Sequence, residues 1–172
     1  MATPQREERS QQRPQKSNSN PTDSLVSQAD MERILHGSSL EDVQLLNKKA
    51  DEIGKQIKNG GVSVSQIRNF FGELRRVQLE LARQDGDQQQ QPAASAEGEV
   101  KVQLQEREYR QLMRLGTLLR YQAARHQVLK PLTETIFMAI QSVGQDRKAF
   151  ENFVDFVEAI VAYHRYYGGK NS

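Results

Sequence analysis

The sequence predicts an all-α protein: a single compact bundle of about five helices, preceded by a disordered tail and interrupted by a low-complexity linker. Three observations carry that prediction. Apolar residues recur every three or four positions in five separate segments, Gly, Pro and Ser or Asp residues punctuate those segments as caps and stops, and no stretch alternates apolar with polar residues as a half-buried strand does. The 172 residues suit one domain, but 36% hydrophobic and 6% aromatic residues are lean for that length, so part of the chain is expected to stay unfolded.

Residues 1–37 are rich in Gln, Ser, Asn, Pro and Arg, with almost nothing apolar before Leu25. Such a segment cannot bury enough surface to offset its ordering entropy and reads as a disordered tail, apart from a short turn of helix around residues 31–35. Arg6, Arg9, Arg13 and Lys16 are offset by Glu7 and Glu8, as in an ordinary solvated tail. Residues 38–172 are expected to form the bundle.

The first clear helix runs over residues 40–58, with Ser39 as N-cap, Glu41 and Asp42 in its first turn and Asn59-Gly60-Gly61 as its stop. Val43, Leu46, Ala50, Ile53 and Ile57 make its apolar stripe, which Gly54 weakens a little. A capping box, Ser63 to Gln66, opens the second helix, which continues to about residue 83. Ile67, Phe70, Phe71, Leu74, Val77 and Leu81 form its buried face. Arg68 and Arg75, seven apart, lie together at the edge of that face, and Arg76 lies further round toward solvent. The bland reading of such arginines is a solvated flank whose alkyl stems cover the core.

Residues 84–99 carry four acids and no bases in a Gln-rich run that reads as a flexible linker. It divides the sequence without dividing the fold, because neither flank holds enough apolar residues to stand alone. The third helix, residues 101–127, lies in the most basic stretch, with seven bases and two acids over residues 100–130. Leu104, Leu112, Leu115, Leu119 and Ala123 make its core face. Arg107, Arg110, Arg114 and Arg125 fall in a separate sector about 60° wide, read as lying beside that face rather than opposite it. Solvated helices usually alternate charge sign along a face, whereas this sector has one sign. Glu106 is spaced to pair with Arg110 at i,i+4, and Glu108 is not.

Pro131 opens a fourth helix with Leu132, Ile136, Phe137, Ile140 and Val143 inward, and Gly144 ends it. The last helix, residues 146–169, is the centre of the prediction. Phe150, Phe153, Val154, Phe156, Val157, Ile160, Val161, Tyr163, His164 and Tyr167 cover half of its circumference, a face wide enough to need neighbours on two sides. Asp146 caps its start and Gly168-Gly169 its end.

The residue types exclude most catalytic chemistry. There is no cysteine, hence no disulfide or thiolate metal site, which fits a reducing compartment. His36, His126 and His164 lie in three different segments with no metal-ligand spacing, and His164 sits mid-face in the last helix, where a hydrogen-bonded core histidine is the simplest reading. Gly60-Gly61 lacks the continuation of a phosphate loop, no serine stands in a nucleophile elbow, and Asp155 and Glu158 share a polar face that solvation explains. No enzyme, cofactor or metal site is expected. No apolar run approaches the roughly 18 residues of a bilayer span, and residues 4–23 are polar, so neither a membrane anchor nor a secretory signal is expected and the cytoplasm is the default location.

Three segments carry a family resemblance. FVEAIVAYHRYYGG, residues 156–169, preceded by Phe150 and Phe153, resembles the C-terminal signature of the small subunit of type III-A CRISPR effector (Csm) complexes. VSQIRNFFGELRRV, residues 64–77, is similar to that family's N-terminal helix, and LLRYQAARH, residues 118–126, to its middle motif of a Tyr, small residues and an Arg. The order agrees, and the resemblance covers roughly residues 62–170. It implies a small, helical, non-catalytic subunit that stacks in several copies inside the complex, touching the backbone subunits, the guide (CRISPR) RNA and its paired target RNA. By position, Arg68 and Arg75 match the first motif and Arg125 the middle one. The expected RNA-binding set is therefore Arg68, Arg75, Arg76, Arg107, Arg110, Arg114 and Arg125, reading phosphate and ribose rather than base sequence. Packing the second and third helices side by side is expected to merge these arginines into one basic groove. The alternative is a helical scaffold that binds only protein, its arginines meeting acidic subunit surfaces.

Overall fold

In the computed structural model, residues 24–88 and 103–168 are described. Side-chain caps fix where several helices begin. Ser27 accepts from the Asp30 N–H ahead of α1 (Gln28–His36), and Ser39 and Asp42 form a reciprocal capping box ahead of α2 (Leu40–Asn59). A second box opens α3 (Val64–Gln88): the Ser63 N–H donates to Gln66 Oε1 at 2.9 Å and the Gln66 N–H to Ser63 Oγ at 3.3 Å. After α4 (Glu106–Arg125) and a short 3-10 turn (Gln127–Leu129), Pro131 lies in the first turn of α5 (Lys130–Val143). Gly144 leaves α5 at φ +52°, and Asp146 accepts from the Ala149 N–H to start α6 (Arg147–Tyr166).

Among the described residues the fold is six helices and no strand. α6 is the axis. It packs against α1, α2, α3 and α5, and its Phe150, Phe153 and Phe156 are fully buried, while α4 closes the bundle against α3 and α5. The wide apolar face of α6 meets the neighbours it requires.

The sixth helix corrects the expected tail. Residues 24–36 are ordered, and Val26, Met31, Ile34 and Leu35 are among the most buried side chains of the core. Nine residues cannot hold a helix alone, so the stability of α1 comes from packing and from hydrogen bonds to α5 and α6. The Leu25 N–H donates to Thr135 Oγ1 at 2.9 Å, and Asn152 Nδ2 donates to the Leu35 carbonyl at 2.8 Å. The remainder of the expected tail, residues 1–23, lies outside the described residues.

The linker boundary also moves, since α3 continues to Gln88 through residues expected to be linker. Extending an existing helix costs one residue's ordering for one hydrogen bond, which a Gln- and Asp-containing run sustains. Residues 89–99 lie outside the described residues. On the far side α4 starts at Glu106 rather than at residue 101, because the preceding segment is pinned elsewhere: Gln103 bridges to Asp146, and the Leu104 N–H donates to the Gln145 carbonyl at 2.8 Å. One apolar expectation fails as well. Val43 is 53% exposed and Leu46 half-buried, because the first turns of α2 stand off the edge of the bundle and burial begins at Ala50.

Candidate nucleic-acid interface

The arginines divide into two sets by the helix flank that carries them. On α4, Arg107 and Arg110 have side chains 69% and 77% exposed, and Arg114 and Arg125 are exposed with them. Arg107, Arg110 and Arg114 line an open concavity with Glu106 and Gln111. The sector points away from the core, which corrects the placement beside the core face. Glu108 and Gly116 join Leu112, Leu115, Leu119 and Ala123 in the buried face, and the arginines take the opposite side.

On α3, Arg75 reaches toward α6, with Nη1 3.7 Å from Glu158 Oε2 and 2.8 Å from Gln78 Oε1. Arg68, two turns earlier, shares that edge and is exposed. The opposite edge of α3 faces α4: Asn69 and Glu73 line a groove with Leu115, Leu118 and Gln122, and Glu80 accepts from Arg107 at 2.8 Å. Hence α3 and α4 do pack side by side, but the two arginine sets do not merge into one groove. Glu73 and Glu80 stand along the seam, and α3 itself separates Arg68 and Arg75 from α4. The wheel alone had no means of saying which edge of α3 the next helix would choose.

Arg76 pairs with Glu73 at 2.8 Å, and Arg110 with Glu106 at the expected i,i+4 spacing. These are exposed pairs, worth at most about 1 kcal/mol, so they leave the cations available to an external anion. Arg68, Arg114 and Arg125 have no ion-pair partner among the described residues. The sequence reading matched one further feature of this face to the middle motif without giving it a role. Tyr121 is 63% exposed in the same sector, seven residues after Arg114 and four before Arg125.

The buried histidine is held by packing. His164 is 1% exposed, and its Nε2–H donates to the Val62 carbonyl at 2.8 Å. Burial holds its imidazole below the usual range, against the opposing pull of that bond. On the polar face of α6, burial pushes the Asp155 carboxyl up, reinforced by the charges of Glu158 and Glu151 and opposed by Arg75. Among the described residues no group of three or more His, Cys, Asp or Glu is placed to hold a metal ion, and no helix is long and apolar enough to cross a membrane.

The bundle holds His164 in its packing and carries arginines of one sign on the outer face of α4. The Csm2 Type III-A family model matches residues 40–170, well over half of the chain, and the protein belongs to that family. It is thereby a subunit of a type III-A CRISPR complex. The match takes in α2, which the motif resemblance left out, and begins after α1. No curated protein and no solved structure matches the chain.

Proposed function

We propose that this subunit is non-catalytic and binds RNA, lying in several copies along the guide RNA and paired target RNA in the cytoplasm and holding them through arginine–phosphate contacts. The observation that carries the reading is the sector Arg107, Arg110, Arg114 and Arg125, exposed and of one sign along α4. Such a face offers positive charge at helical repeats over a distance that phosphates can track, and arginine binds phosphate without reference to base identity. Arg68 and Arg75 form a second basic edge on α3, separate from the first, and Arg76 lies further round, paired with Glu73.

The test replaces Arg68, Arg114 and Arg125 with Ala in the assembled complex and measures guide and target RNA binding against salt. Each lost phosphate contact lowers the slope of log affinity against log salt by roughly 0.7–0.9, so three lower it by about 2. The loss should be equal for unrelated RNA sequences, with helicity and thermal midpoint unchanged. Wild-type affinity at every salt concentration overturns the RNA reading and leaves the subunit a scaffold that binds only protein.

A further inference from the structure

We propose that Tyr121 is a stacking platform for an unpaired base, framed by Arg114 and Arg125, so that the outer face of α4 takes single-stranded RNA in preference to duplex. The proposal rests on the RNA reading above and narrows it: the arginines of this face track the phosphates of paired and unpaired RNA alike, and Tyr121 adds a contact that only an unpaired nucleotide beside the paired stretch can make. Tyr121 is 63% exposed, and among the described residues it has neither a hydrogen bond nor a ring contact. Other tyrosines differ. The Tyr167 hydroxyl donates to Asp51 at 2.6 Å, Tyr166 packs edge-on against the Tyr167 ring, and Tyr109 and Tyr163 are half-buried.

A single exposed aromatic residue is ordinary on a protein surface. What sets this one apart is its register. Arg114, Tyr121 and Arg125 follow one stripe of α4 at spacings of seven and four, and no acidic residue occurs between Glu108 and Glu134. The stripe from Arg114 to Arg125 is about 16 Å long, enough for a short run of nucleotides with a ring about two thirds of the way along it. Phosphate contacts alone do not distinguish paired from unpaired RNA. A ring does, because in an A-form duplex the bases are stacked on one another and the major groove is too deep and narrow for side chains to read. An unpaired base presents its π-face, and aromatic stacking accepts any base.

The experiment uses the full-length chain with two fluorescent probes of equal length, an unstructured single-stranded RNA and a blunt RNA duplex. Tyr121→Ala should weaken single-strand binding about tenfold, with duplex binding and the salt slope unchanged. Tyr121→Phe should bind as wild type. Arg114→Ala/Arg125→Ala should lower the salt slope for the single strand by about 1.4. Because the chain has no tryptophan, Tyr121→Trp supplies a unique fluorophore that should be quenched by the single strand and not by the duplex.

If Tyr121→Ala binds the single strand as wild type while the arginine pair still lowers the slope, the platform is wrong and the RNA reading stands. Equal weakening on both probes also overturns the platform. If neither probe binds the wild-type chain, or the arginine pair changes nothing, the RNA reading fails and the platform with it. Unchanged RNA binding together with release of Tyr121→Ala from the purified effector complex would make this face a protein-docking surface and overturn the proposal.

Discussion

A β-carbon placed at Gly54 would stand 2.6 Å from Tyr163 Cβ and 2.8 Å from the His164 backbone nitrogen, which shows why α2 carries glycine in the middle of its buried stripe. The helix loses propensity there and gains the close crossing with α6. Gly54→Ala should therefore destabilise the protein by about 1–3 kcal/mol, because the obstacle includes backbone. Gly72, in the exposed middle of α3, has nothing within 4 Å of the same construction, so Gly72→Ala should stabilise by about 0.5–1 kcal/mol. Chemical denaturation of the two variants gives opposite signs if the α2–α6 crossing is as described. His164 supplies the pH counterpart. Its folded-state affinity for a proton is depressed from the ordinary 6.5, so as pH falls below about 6.5 the unfolded chain takes up a proton that the folded chain refuses. Stability should decline on acidification through that window, and His164→Gln should show a smaller decline beside a general packing defect.

At the scale of elements, the sequence made legible whatever was marked locally. Ser39, Ser63, Asp146, Pro131 and Gly144 fixed the ends of helices by chemistry acting within a few residues, and the half-apolar circumference of the last helix correctly placed it at the centre. Features set by distant partners were not legible. α1 presents only Met31, Ile34 and Leu35 as large apolar residues among polar and charged ones, and it is helical because α5 and α6 supply the surface that these three cover. The same holds at the candidate site. Periodicity grouped Arg107, Arg110, Arg114 and Arg125 correctly, but the edge of α3 that meets α4 is decided by the whole bundle. Tyr121 stood in the motif of residues 118–126, but the motif gave its ring no role and did not say that it lies exposed in the arginine sector. If α1 belongs to the core, Leu35→Ala should cost about 2–5 kcal/mol and a chain beginning at residue 38 should melt at a markedly lower temperature, both read by thermal denaturation. A truncated chain as stable as the full one would return residues 24–37 to the status of a tail.

At the scale of the molecule, the two stretches on either side of residues 89–102 interlock. α2 and α3 come before that segment, α4 to α6 after it, and the principal packing of α2 is on α6 and that of α3 on α6 and α4. Ile53, Ile57 and Leu74 come from the first stretch, Phe150, Phe153 and Ile160 from the second, and all lie in one core cluster. Neither half closes a core of its own, since a chain of that size keeps too much apolar surface exposed when its partner is missing. A single bundle with a dispensable connection therefore predicts a particular result from cutting the chain. With a protease site inserted between Gln91 and Pro92, the cleaved protein should elute from a native column as one species containing both fragments, because the buried face of α6 still holds α2 and α3. Each fragment expressed alone should lack cooperative unfolding. Phe153→Ala removes packing worth about 3–5 kcal/mol, so in the cleaved protein, where association must also offset the entropy of joining two chains, that variant should release the fragments at concentrations where the wild type stays together. Fragments of the wild type that part on the column would instead mean two independent units.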